Sequence, residues 1–305
     1  MAEGSARVVA VALAGNLAIA LTKFAAFAFT RSTAMLTEAI HSLVDTADQA
    51  LLLWAQKRST RPPNQAHPLG YGMETYFWSF LVVLLILLVG GAVSVWQGVA
   101  KIGHPAPIER PWLSYLVLAV SAGFEGASFR VAYREFRRMV RGRRVRGRSI
   151  PLWSFLQVSK DPSLFTTLME DGAALTGLTI AALGVFGTSA LHLPWADGAA
   201  SIGIGLLLVG VATFLANETR SLIAGEAAAA PIREAVERAL ATCGPELIVS
   251  GVITLHLGPA TILVVARVKL APGVTGEAAL AAARALEIRV KAADPRVGPV
   301  YLSLV

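Results

Sequence analysis

Cysteine is almost absent: Cys243 is the only one in 305 residues. A single thiol excludes an intramolecular disulfide and any cysteine-rich zinc cluster. Charge is scarce too. Only 15% of residues are Asp, Glu, Lys or Arg, against 55% hydrophobic residues and a mean hydropathy of +0.60. Ordinary globular domains carry about 25% charged residues, so this composition is that of a membrane protein. No HExxH signature occurs, which leaves a membrane metalloprotease without its catalytic motif, and no enzyme is expected. The N-terminus MAEGSAR is short, and the apolar run behind it is long and lacks a clear cleavage site, so no cleavable signal peptide is expected. The net charge of +7 would raise nucleic acid as a partner of a soluble protein. Here loop topology accounts for it, and the expected partners are membrane lipids, not nucleic acid.

What is present is a set of six hydrophobic spans, at about Val8 to Phe29, Ala34 to Gln56, Tyr76 to Ile102, Trp112 to Tyr133, Leu164 to Leu191 and Trp195 to Leu215. Each is long enough to cross a bilayer as a helix, which takes about 20 residues. The second is the unusual one, because it carries Glu38, His41, Asp45 and Asp48. An acid near the bilayer centre costs about 2.5–3.5 kcal/mol, and each Leu, Ile or Val returns only about 0.3–0.6 kcal/mol. These side chains must therefore face protein or water. Their three-four-three spacing keeps them on one helical face. His41 and Asp45 stand one turn apart, where an imidazole and a carboxylate can point at one divalent cation. A buried polar contact between helices is the alternative. Glu125 in the fourth span suits either a proton path or an inter-span hydrogen bond. Asn16 and Lys23 in the first span are expected to pair with intramembrane acids. The Gly90-Gly91 pair is expected to serve close helix packing.

Lys and Arg set the topology. The link after the fourth span holds Arg134, Arg137, Arg138, Arg141, Arg143, Arg144, Arg146 and Arg148, and the link after the second holds Lys57, Arg58 and Arg61. The other links are short and poor in basic residues. The positive-inside rule puts both basic links and both termini in the cytoplasm. From about Asn217 the composition changes. Ile232 to Thr242 has helical periodicity, Leu247 to Leu257 and Thr261 to Leu270 are strand-like around a Gly258-Pro259-Ala260 turn, Gly276 to Ala293 is an Ala-rich amphipathic helix, and Val300 to Val305 alternates like a strand. The expected architecture is an integral membrane α-helical domain of six transmembrane helices over residues 1–216. A small cytoplasmic α+β (ferredoxin-like) domain over 217–305 follows it, its default role dimerisation or regulation.

Several stretches carry a resemblance. They are AGNLAIALTKF in the first span, SxAMLxEAIHSLVDTxxQxLLL in the second, HPLGYGMETYFW in the link after it, Asp197 at the start of the sixth span, and LHLGP in the C-terminal domain. Together they resemble the cation diffusion facilitator family of six-helix zinc and divalent-metal exporters, and in detail its zinc-transporter-nine-like branch. The resemblance implies a homodimer that exchanges metal for protons by alternating access, with a tetrahedral metal site between spans two and five. It places two ligands at His41 and Asp45 and a third at Asp171, in a bacterial inner (plasma) membrane. Zinc is then the transported cation, and no cofactor is implied.

The departures from the family pattern are informative. The usual HxxxD of span five is here Thr167 followed by Asp171, and a hydroxyl is a weak zinc ligand. Glu170 is the candidate fourth ligand, although neighbouring helical side chains diverge by about 100°. An oxygen-richer site tilts from zinc toward manganese or iron, and a non-transporting scaffold or metal sensor of the same fold is the rival reading. In the link after span two His67 matches one metal-binding position, but Asn64 and Tyr71 stand at the others, so that site is expected to be absent or degenerate. His256 is the lone histidine of the C-terminal domain, either a ligand or a part of the strand–turn structure. His104 and His192 are expected to be solvated in external links.

Overall fold

In the computed structural model the described residues are 2–105, 108, 110–142 and 162–305. Arg143, Arg144, Arg146 and Arg148 of the basic link lie outside them. Six long helices come first among the described residues: α1 (Ala2–Thr30), α2 (Thr33–Ser59), α3 (Glu74–Gly103), α4 (Pro111–Gly142), α5 (Pro162–Ser189) and α6 (Ala196–Gly225). They coincide with the six expected spans. Arg31, with φ 56°, breaks α1 and lets the chain reverse within two residues into α2; His192, also at φ 56°, lies in the six-residue connection between α5 and α6.

The chain divides into two compact units. The first holds residues up to Ala55, the stretch from Trp78 through α4, and 162–219. Glu74–Gly103, Pro111–Arg134, Thr166–Ser189 and the helix from Ala196 are each long and apolar enough to cross a membrane; among the described residues of α1, Asn16–Thr30 is apolar but shorter. The helix α2 fails the same criterion because of its acids, and those acids are buried inside the unit. Glycines let the helices approach. The Gly90-Gly91 pair lies in a π-helical stretch, Ile86–Ala92, inside α3. A Cβ on Gly91 would stand 2.7 Å from Val209 Cγ2 of α6, and one on Gly98 would stand 2.6 Å from the Gly198 carbonyl oxygen. Close packing is therefore the role of the pair.

The second unit holds Gln56–Phe77 and the chain from Arg220 onward. Here α7 (Ala230–Ala241), β1 (Leu247–Gly258), β2 (Thr261–Leu270), α8 (Gly276–Ala293) and β3 (Val297–Leu304) follow the expected helix–strand–strand–helix–strand order. The sheet order is β1-β2-β3, with β1 and β2 antiparallel and β2 and β3 parallel. A parallel pair needs a crossover, and α8 supplies it. The hydroxyl of Thr275 caps α8 by accepting from the Ala278 amide. The alternation of β2 puts Ile262, Val264, Ala266 and Val268 on one buried face, where Ile232, Val236 and Leu240 of α7 and Leu286 and Val290 of α8 cover them. Each fully buried Ile, Val or Leu contributes about 1.5–3 kcal/mol, enough to make this layer the unit's core.

The link between α2 and α3 is tightly built. The Arg58 guanidinium is bidentate on Glu74, with Nη2 at 2.9 Å from Oε1. His67 stacks on Tyr71 at 4.1 Å between ring centroids, its amide donates to Asn64 Oδ1, and Asn64 Nδ2 donates to the Tyr71 hydroxyl at 2.8 Å. His67, Asn64 and Tyr71 thus hold each other as a loop knot. Gly72 packs against the end of β1: a Cβ there would stand 2.4 Å from the Leu257 carbonyl oxygen. His256, fully buried in β1, donates its amide to the Glu226 carbonyl.

Candidate metal site in the membrane unit

Helix α2 presents Glu38, His41, Asp45 and Asp48 on the face the spacing predicts, and all four are buried. From α5 come Glu170 and Asp171, and from α4 Glu125, all less than 9% exposed. All seven are buried within the membrane unit, so each is shielded from lipid by neighbouring helices.

His41 Nδ1 stands 3.5 Å from Asp45 Oδ1. His41 lies within electrostatic range of Asp171 and Glu125, and Asp45 within range of Asp171. Glu170 is in range of Asp45 and Asp171, and its charge is felt most by Asp48 among the neighbours of that residue. The structure thus brings His41, Asp45, Glu170 and Asp171 into one interior region. Their detailed aims differ. Asp171 turns toward α4, where Ser128 donates its hydroxyl to Oδ2 at 2.8 Å. Glu170 is one residue earlier and about 100° around the helix, within electrostatic range of Asp45 and Asp48. Thr167 is half-buried one turn before Asp171. Among the described residues, no three His, Cys, Asp or Glu side chains are gathered closely enough to hold one ion together. The arrangement is one close His–Asp pair ringed by further carboxylates.

The chemistry of the donors suits a cation. His41 Nε2, Asp45 Oδ1, both carboxylate oxygens of Asp48 and Glu170 Oε1 are buried without a hydrogen-bond partner among the described residues. Unsatisfied buried carboxylates are costly, and a divalent ion or protons would offset that cost. One imidazole and several oxygens form a borderline-to-hard donor set.

Sequence reasoning left two contributors unnamed. Ser128 orients Asp171; it sits three residues after Glu125 on the same face of α4, a spacing that could have flagged it. Ser42 accepts from Lys23 Nζ at 2.7 Å, and the same ammonium stands 3.1 Å from Glu38 Oε2. The pairing of Lys23 with an intramembrane acid was legible; the second contact was not. His104 and His192 are exposed, as expected for link residues. Asp197 is fully buried at the start of α6 and accepts from Ser32 Oγ and the Thr33 amide.

The comparisons with known proteins agree on family. The cation efflux transmembrane domain matches residues 9–224. The chain is 36% identical over 222 residues to the mitochondrial proton-coupled zinc antiporter SLC30A9 of Xenopus laevis, covering 72% of this chain and 39% of that protein. It is 32% identical over 225 residues to metal tolerance protein C4 of Arabidopsis thaliana, covering 74% of this chain and 48% of that protein. The magnetosome protein MamM of Magnetospirillum gryphiswaldense is 25% identical over 217 residues, covering 68% of this chain and 60% of that protein. The aligned region is thus less than two thirds of each relative. With six long helices, buried acids on α2 and α5 and a three-stranded C-terminal sheet, the chain belongs to the cation efflux family of integral membrane proteins.

Proposed function

We propose that this protein moves a divalent metal cation, most readily zinc, out of the cytoplasm in exchange for protons. The supporting observation is the buried His41–Asp45 pair of α2, 3.5 Å apart, with Asp171 and Glu170 of α5 in electrostatic range. His41, Asp45 and Asp171 hold the ion as it passes, with Glu170 as fourth ligand. The zinc is cargo, not a resident cofactor.

The exchange follows from shared ligands. Imidazole must be neutral and carboxylates ionised to coordinate metal, so protons and metal compete for the same atoms. Proton occupancy from the outer side then releases the metal. The proton-coupled zinc antiporter named among the relatives supports this reading. The proposed location is a bacterial inner membrane; the basic links favour both termini in the cytoplasm, with residues 217–305 as a cytoplasmic domain that joins two copies into a homodimer.

A second reading has a specific observation behind it. Asp45, Glu125 and Asp171 lie in range of the single imidazole, Glu170 lies in range of Asp45 and Asp171, and Thr167 occupies the position one turn before Asp171. That oxygen-rich set favours manganese or iron. Competition flux into proteoliposomes across zinc, manganese, iron and cobalt decides between them. Preferred zinc flux supports the first reading and preferred manganese or iron flux the second. Metal binding without any flux would identify a sensor or scaffold.

A further inference from the structure

Lys23 is the only charged residue between Asn16 and Thr30 of α1, and it is completely buried. A lone ammonium inside a membrane helix is expensive unless paired. Its two partners both belong to α2: Glu38 Oε2 at 3.1 Å and Ser42 Oγ at 2.7 Å. Ser42 adjoins His41, and Glu38 lies three residues before it, on the same helical face.

Resting on the transport site at His41 and Asp45, we propose that Lys23 sets metal preference by holding the Glu38 carboxylate out of coordination. Glu38 is within electrostatic range of both His41 and Asp45. Its other oxygen, Oε1, has no hydrogen-bond partner among the described residues. That oxygen is wedged against Gly177 of α5, where a Cβ would come within 2.8 Å of it. Glu38 is therefore a further hard donor one turn from the imidazole, restrained on one side by the ammonium and seated on the other in space that a glycine leaves. Lys is a compact point charge with three donors and no acceptor. It neutralises the carboxylate and is itself unable to bind metal while protonated. With Glu38 held, the cation meets His41 nitrogen and fewer oxygens, a set that suits zinc. With Glu38 released, an additional oxygen enters reach of the ion, and the balance moves toward manganese. Lys23 is thus a positioning residue that acts through Glu38.

The test uses the full chain, purified, with equilibrium zinc and manganese binding measured in detergent and competitive flux measured in proteoliposomes. Lys23→Arg keeps the parental manganese-to-zinc binding ratio, because the charge and its partners remain. Lys23→Met raises that ratio about tenfold, the scale of an outer-shell change at a metal site. Lys23→Met with Glu38→Gln returns the ratio to the parental value, because the released donor is gone. If Lys23→Met fails to fold, Lys23→Gln carries the same expectation, since it keeps a hydrogen-bond donor without the charge. Equal weakening of both metals by Lys23→Met, or a shift that survives in the double variant, overturns the proposal. A ratio that follows Lys23 and Glu38 as stated, in a parent protein that moves no metal, would sink the transport reading and leave this role standing.

Discussion

Asp197, at the start of α6, accepts a hydrogen bond from the Thr33 amide at 2.6 Å and so caps α2 from a different helix. Its other oxygen takes the Ser32 hydroxyl at 2.7 Å, and its own amide donates to Thr188 at the end of α5. One buried residue therefore ties the start of α2 to α6 through its carboxylate and the end of α5 to α6 through its amide. Its charge also lies in the first turn of α6, where the helix dipole favours an acid. Asp197→Ala leaves the Thr33 amide and Ser32 hydroxyl unsatisfied, which costs about 1–3 kcal/mol for such a group. We expect a clear loss of thermal stability in detergent, with a smaller loss for Asp197→Asn, which keeps one acceptor. Unchanged melting of Asp197→Ala would show that α2 is held by other means.

On α5, Glu170→Gln is expected to weaken metal flux strongly and Thr167→Ala only mildly. Glu170 and Asp171 both lie in a membrane helix, where each acid costs about 2.5–3.5 kcal/mol unless paired or wetted, so removing the charge of Glu170 eases insertion. Lost activity then reports lost chemistry. Thr167→His rebuilds an HxxxD spacing with Asp171 and should shift preference toward zinc, since imidazole suits zinc better than a hydroxyl does. Flux of each variant with zinc and manganese in competition checks all three. An inactive Thr167→Ala beside a parent-like Glu170→Gln would move the fourth ligand to Thr167.

Gly72→Ala is expected to destabilise the second unit. The new methyl would stand 2.4 Å from the Leu257 carbonyl oxygen, and backbone rather than a flexible side chain must yield. Overpacking of this kind costs about 1–3 kcal/mol. Proteolysis of the full chain, read at the link between α2 and α3, should accelerate. A cleavage rate equal to that of the parent would mean that the link and β1 separate without consequence.

Much of this fold was legible because its signals are periodic. Strand β2 and helix α8 begin and end where the alternation and the amphipathic pattern do, at Thr261–Leu270 and Gly276–Ala293. The face of α2 was legible because acids in an apolar helix must point inward. The membership of Gln56–Phe77 in the second unit was not. It depends on Gly72 meeting the backbone of Leu257 and Gly258, and a glycine that allows close approach leaves no pattern in its neighbours. Ser128 was silent for a similar reason: a serine in a membrane helix is common, and only its partner Asp171 gives it meaning. The contacts among His67, Asn64 and Tyr71 were not legible either, since the sequence shows Asn64 and Tyr71 seven positions apart, with His67 between them, without their stacking and hydrogen bonds.

Metal removal should leave the proposed dimer intact. Among the described residues of the second unit no group of three metal-binding side chains is gathered, and its core is aliphatic. Sedimentation of the purified chain with and without chelator should give the same mass. Dissociation on chelation would reveal ligands that hold the copies together.

The most direct measurement is zinc uptake by proteoliposomes under an imposed proton gradient, for the parent chain and for Asp45→Asn. Asn keeps the size of the side chain and removes the carboxylate that stands 3.5 Å from His41. The account predicts gradient-dependent zinc uptake by the parent, and loss of that uptake in an Asp45→Asn protein that still inserts and melts as the parent does. Parent-like zinc uptake by Asp45→Asn would contradict it.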